Sequence, residues 1–152
     1  MNDIISAFSH TLQSGLFLDE ILHGLVAAPF AGLLYYKTKD WKFSLIPILV
    51  TYLIDMDHWV DYLLYYGGDI SLRNFVAGEY FEKTNRAVVP LHAWEWLFFV
   101  GAIAIERGKW KSILTAISLG VLAHLLWDTH TIGSVAFYSI LYRISNNFVI
   151  IV

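Results

Sequence analysis

Asp55-Met56-Asp57-His58 puts three ionisable side chains into four residues, inside a segment, Trp41 to Tyr66, that is otherwise apolar enough to cross a bilayer. Carboxylates and imidazoles at that density hold a divalent metal or move protons. At mid-membrane an ionisable group costs about 2.5–3.5 kcal/mol on insertion scales, so each is expected to be paired, metal-bound or facing water. The chain offers partners of the same types. His124 and Asp128 are i and i+4, on one helical face, with Thr131 one turn further. His92 and Glu95 are i and i+3, as are Glu20 and His23. At 100° per residue His58 falls between Asp55 on one side and Asp57 with Asp61 on the other, a polar sector of about 160°. Asp55 and Asp57 are about 200° apart in a straight helix. Either the helix is distorted there, or one carboxylate binds metal while the other orients a ligand.

The elements that must position these groups are membrane helices. A chain of 152 residues has room for one domain, and 57% hydrophobic content with a mean hydropathy of +0.56 is too apolar for an ordinary soluble fold of this size. The expected class is an all-α integral membrane protein. The absence of cysteine removes disulfides and thiolate ligands, and a net charge of -3 without a long basic block makes nucleic acid an unlikely partner. No Lys or Arg precedes Lys37, so no cleavable signal peptide is expected. Residues 1–13 place Ile4, Ile5, Phe8 and Leu12 at helical spacing, as in a short interfacial helix. Four spanning helices are predicted. The first runs from an N-cap at Ser14 to about Tyr36, where Pro29 can introduce a kink; the second runs from Trp41 to Tyr66, ending at Gly67-Gly68. The third starts with Pro90 in its first turn and ends near Glu106, and the fourth ends near Thr129. Between the second and third, Leu72, Phe75, Val76 and Tyr80 can form an amphipathic piece on the membrane surface. The apolar C-terminal segment, 131–152, can span, re-enter or pack along the bundle.

Charge orients the bundle. Lys37, Lys39 and Lys42 in one short turn, and Arg107, Lys109 and Lys111 in another, are expected in the cytoplasm. At ~1.5 Å per residue, His23, Asp57, His92 and His124 then each lie roughly 20–22 Å above those turns. Below that level the four segments contain no charged residue. Helices that deliver polar groups to one depth can converge on a metal, as in soluble bundle metalloproteins. A structural polar network, or helix ends dipping into the interface, is the plainer alternative, and it does not predict a shared depth.

The order of His23, Ile54-Asp55-Met56-Asp57-His58, a lone His92 opening a helix, and Ala123-His124-Leu125-Leu126-Trp127-Asp128-Thr129-His130-Thr131 resembles the membrane-bound metal-dependent hydrolase family of small bacterial and archaeal proteins. The family pattern is a first-helix histidine, DxDH, T-H-S and a final HxxxDxxT. The similarity covers about residues 20 to 131, and Leu91 and Ala93 depart from the family's Thr and Ser around His92. The HxxxD helix is more distantly similar to zinc-dependent phospholipases C. The resemblance implies a metal site more firmly than it implies a reaction.

The expected metal set is His23, Asp55, Asp57, His58, His92, His124 and Asp128. Imidazole and carboxylate ligands without sulfur suit zinc first, or manganese or iron, and the set is large enough for two ions. The expected activity is metal-assisted hydrolysis with Glu95 or an unligated Asp such as Asp57 as base, on a phosphoester of a lipid or lipid-linked molecule. The expected location is the cell (inner) membrane, multi-pass, in contact with membrane lipids and with the site toward the non-cytoplasmic side. Asp19, Glu20, Asp61 and His130 read as surface groups or as partners of the ligands. Two other classes compete: a haem-binding electron-transfer protein, and a proton or cation relay carrier.

Overall fold

The computed structural model describes residues 15–106 and 111–150; the expected interfacial helix at 1–13, the Ser14 cap and most of the second basic turn lie outside them. The described chain is mostly helical and contains no strand. Its elements are α1 (Gly15–Thr38), α2 (Trp41–Ile54), a 3₁₀ turn (Asp55–Asp57), α3 (His58–Tyr66), α4 (Leu72–Ala77), α5 (Glu79–Thr84), α6 (Trp94–Glu106), α7 (Lys111–Ile132), a second 3₁₀ turn (Ala136–Tyr138) and α8 (Ile140–Ser145).

Among the described residues three stretches are long and apolar enough to cross a membrane: Leu18–Thr38, Trp41–Tyr66 and Lys111–Ile132. Large apolar side chains such as Leu25, Leu49, Leu64 and Phe98 coat the outside of the helices, while the inward faces carry Ala27, Ala31, Ala116 and Ala123. Small residues let helices approach closely where lipid supplies no hydrophobic drive. The central helix is α7, which packs against α1, α2 and α6, while α1 also packs along α2. Asp40 caps α2 by accepting from Lys42 N at 2.9 Å. The closest backbone approach at a described glycine is at Gly120, where an added Cβ would stand 2.8 Å from the Pro47 carbonyl oxygen and 2.7 Å from Val50 Cβ. Backbone cannot yield there, so Gly120→Ala is expected to spread α2 from α7 and cost about 1–3 kcal/mol, read as a lower melting temperature in detergent.

Between α3 and α6 the chain does not simply lie on a membrane surface. Phe75 stacks on Trp59 at 4.0 Å, and Tyr80 meets Tyr62 edge-on at 5.6 Å, so these rings pack back on α3 while Leu72 stays exposed. Gly78, at φ +66°, makes the break between α4 and α5. The third long helix starts at Trp94, later than Pro90. The amides that would begin it are spent elsewhere: Leu91 N donates to Asp57, His92 N to the Val89 carbonyl and Ala93 N to the Leu91 carbonyl. Residues 86–93 thus form a strap. The C-terminal segment packs on that strap through Ala87 N to Phe148 O and Ile150 N to Asn85 O, an antiparallel bridge of Arg86 with Val149.

Candidate metal centre

The 3₁₀ turn resolves the geometry of Asp55-Met56-Asp57-His58. In 3₁₀ winding residues i and i+3 eclipse, so Asp55 and His58 come onto one face, with His58 Nε2 3.7 Å from Asp55 Oδ1. Asp57 turns toward the strap. Its Oδ2 accepts from Leu91 N at 2.6 Å, and its two oxygens lie 3.0 and 3.1 Å from His92 Nδ1. The helix is distorted there, the first of the alternatives left by the sequence, and Asp57 bonds to His92. One turn on, buried Asp61 accepts from Val88 N at 2.6 Å and Val89 N at 2.9 Å. Two carboxylates of one helical run therefore pin the strap that carries His92, and Val89 sits between them at φ +28°, a strained conformation for a β-branched residue.

With Nδ1 committed to Asp57, the His92 ring aims Nε2 inward. That atom lies 2.9 Å from His124 Nε2, 3.3 Å from Asp55 Oδ1 and 3.5 Å from Asp128 Oδ2. His124 Nε2 is in turn 3.5 Å from Asp55 Oδ1 and 3.2 Å from Asp128 Oδ2. Four donor atoms from α7, the strap and the 3₁₀ turn thus share five separations between 2.9 and 3.5 Å. Ligands about 2.0–2.2 Å from a tetrahedral zinc stand about 3.3–3.6 Å from one another. The donor types suit a divalent cation, and three of the five separations, 3.3 to 3.5 Å, match that spacing while 2.9 and 3.2 Å are shorter. His23 and His58 flank it. His23 stacks on His124 at 4.1 Å, its Nδ1 near the Asp19 carbonyl and its Nε2 2.7 Å from Asp128 Oδ1, while His58 stacks on His92 at 5.0 Å. Three overlapping groups able to hold a metal result: His23 with Asp55 and His124; Asp55 with His58 and His92; and His92 with His124 and Asp128.

Burial makes the arrangement consequential. His92, His124 and Asp128 are all buried. Burial disfavours a charged His92, and the carboxylates of Asp55 and Asp57 beside it favour one. The field that holds a proton there also holds a cation, and the two compete. The 2.9 Å between the Nε2 atoms of His92 and His124 is too short for ligands on opposite faces of a haem iron, which stand about 4 Å apart at ordinary metal–nitrogen lengths.

Six of the seven expected ligands meet in one place, and the seventh, Asp57, stands behind His92. Glu95 is placed elsewhere. Its carboxylate accepts from Ser139 Oγ at 2.6 Å and from the amides of Ile140 and Leu141, capping α8. The structure therefore gives the base role read for Glu95 no support. Glu95→Ala should loosen α8 at a cost of about 1–2 kcal/mol while leaving metal content unchanged, checked by melting and elemental analysis on the same sample. His130 is exposed, and Asp19 accepts from Trp127 Nε1. Asp61, read from the sequence as a surface group or a partner of the ligands, holds the strap; a second contributor, Arg143, seen only as a break in an apolar tail, is fully buried. An ionisable residue amid Ile-Leu-Tyr-Arg-Ile was the available signal for the second.

The class defined by fold and site is a helical protein with membrane-length helices and a buried His/Asp cluster able to hold metal. No family model, no curated protein and no solved structure matches the chain.

Proposed function

We propose that this protein is a multi-pass membrane hydrolase whose divalent metal centre acts on a phosphoester of a lipid or lipid-linked molecule. The observation that carries the reading is the gathering of His92, His124, Asp55 and Asp128 donor atoms, His92 and His124 each lying within 3.5 Å of the other three, in overlapping groups able to hold a metal. Zinc fits this ligand set best, with manganese or iron as substitutes, and His23 and His58 allow a second ion sharing Asp55. A divalent ion held there would supply Lewis acidity to a phosphoryl oxygen and a water nucleophile at neutral pH. The resemblance to the membrane-bound metal-dependent hydrolases points the same way.

The residues of the chain divide the remaining work. Asp57 holds the His92 tautomer, and Asp61 holds the strap. Glu20 takes the place of Glu95 as proton acceptor: it lies one helical turn before His23, is half-buried, and is not committed to a cap. For the bilayer, α6 is the fourth crossing. Its 13 residues cover about 20 Å, and the strap and α8 complete it on the outer side. Lys37, Lys39 and Lys42 mark the cytoplasmic end, so the centre faces the non-cytoplasmic side. A lipid substrate is favoured by an apolar groove of about 250 Å³ between α2, α6 and α7. Its lining includes Ile54 and Leu91, chain neighbours of Asp55 and His92, and continues to Val50, Val100 and Ile117. A hydrocarbon chain seated there leaves its head at the metal centre.

The test is turnover by detergent-purified protein supplied with zinc or manganese, on short-chain phosphatidate and on a soluble aryl phosphate. Phosphate release that needs metal and falls at least about a thousandfold in His124→Ala is expected. Full metal occupancy without hydrolysis of either phosphoester, or unchanged turnover in that variant, sinks the phosphoester reading.

A further inference from the structure

Among the described residues Arg143 heads the fully buried side chains by size, at 0% exposure, and its Nε, Nη1 and Nη2 all lack a hydrogen-bond partner. An ionised group in that condition is among the most costly features a fold can carry, and in membrane proteins such groups mark ligand sites by default. Its surroundings belong to the metal centre. Arg143 sits on α8, which Glu95 fastens to the start of α6, directly after the strap that carries His92. Phe137 lies under the guanidinium, 5.8 Å from ring centre to Cζ. Its neighbour Tyr138 faces the His92 ring at 6.3 Å.

The carboxylates whose charge acts on Arg143 are those of Asp57, Glu95 and Asp61. None of these carboxylates bonds to it. Asp61 is taken by two strap amides, Glu95 by the start of α8, and Asp57 by Leu91 and His92. The fold brings a planar five-donor fork beside the centre and leaves every donor free. That fork matches the paired oxygens of a phosphoryl group, which it grips in two parallel bonds.

We propose that Arg143 is a substrate-binding residue that receives the anionic oxygens of a phosphoryl group lying against the His/Asp cluster. The proposal rests on the metal-centre reading and gives that site its substrate class. The ligand is a phosphate monoester or free phosphate, and the oxygens Arg143 grips are those that leave with the phosphoryl group.

The test uses full-length protein in detergent, as isolated and metal-loaded, and follows melting temperature with inorganic phosphate, with short-chain phosphatidate, and with chloride at equal ionic strength. Wild type should be raised by phosphate or phosphatidate and not by chloride. A response to inorganic phosphate alone identifies a free phosphate site, and one confined to phosphatidate identifies a lipid headgroup site. Arg143→Met should lose the response at least tenfold in ligand concentration, keep wild-type metal content, and melt at or above wild type in chloride, because a buried unpaired charge has been removed. Arg143→Lys should retain a weakened response. Absence of any response in wild type, or an undiminished response in Arg143→Met, overturns the proposal. So does an Arg143→Met protein that melts well below wild type in chloride, since the guanidinium would then serve the fold. Metal content is measured separately, so a protein without metal that still shows the Arg143-dependent response refutes the hydrolase and leaves the anion site standing.

Discussion

Elemental analysis of detergent-purified wild-type protein is expected to give roughly one or two equivalents of zinc, manganese or iron per chain, and Asp55→Ala and His124→Ala should each abolish it. The size of the effect follows from how the donors are shared. Asp55 Oδ1 lies 3.3 Å from His92 Nε2, 3.5 Å from His124 Nε2 and 3.7 Å from His58 Nε2, so its loss opens every edge it joins. His124 Nε2 contacts His92, Asp55 and Asp128 in the same way. Asp57→Asn should behave differently. Asp57 bonds the outer nitrogen of His92, and losing such an orienting carboxylate typically costs about 10–100-fold in metal affinity rather than the site itself. Retained metal at saturating supply, with weakened affinity in titration, is therefore the expected phenotype of Asp57→Asn. Wild-type affinity in that variant would mean that the Asp57–His92 pair does not position the ligand. Full occupancy in Asp55→Ala and His124→Ala would remove the centre altogether.

That contrast shows what the sequence could and could not convey. Helix type and most helix ends follow from hydropathy, and the convergence of His23 with His124 from a fixed rise per residue, so they were legible. The division of labour between Asp55 and Asp57 was not, because it depends on a local change from α to 3₁₀ winding over Asp55–Asp57. A constant 100° per residue cannot represent that change. His92 and Glu95 illustrate the other gap. Their i, i+3 spacing suggested one helical face, but the helix begins only at Trp94, so His92 hangs on the strap and Glu95 turns to α8. The spacing rule failed because side chains captured the strap's amides. Arg143 and Asp61 depend on contacts across 27 or more residues or on burial by the tail, which no local pattern encodes.

Chelation is expected to lower the melting temperature of wild type by roughly 6–15 °C, the equivalent of about 2.7–4.1 kcal/mol for an ion held at 100 to 1,000 times its dissociation constant. The chain explains why the ion contributes so much. His92 and His124 present their Nε2 atoms to each other at 2.9 Å, with Asp55 and Asp128 oxygens alongside, all in a mostly buried layer. Protons relieve this crowding only in part, since His124 Nδ1 is itself buried without a partner. His124→Leu puts an apolar side chain of similar size into a position that is 0% exposed, beside Leu125 and Val121 of the core. This variant should lose its sensitivity to chelator and melt at or above chelated wild type, since replacing buried ionisable groups by packed apolar ones is often neutral or stabilising. If chelator leaves wild type unmoved, the four-donor shell is a hydrogen-bonded network held by protons. If His124→Leu melts far below chelated wild type, the imidazole supports the bundle directly. The predicted crossing, with the variant below wild type in metal and level with or above it in chelator, is what a shell built for a cation requires.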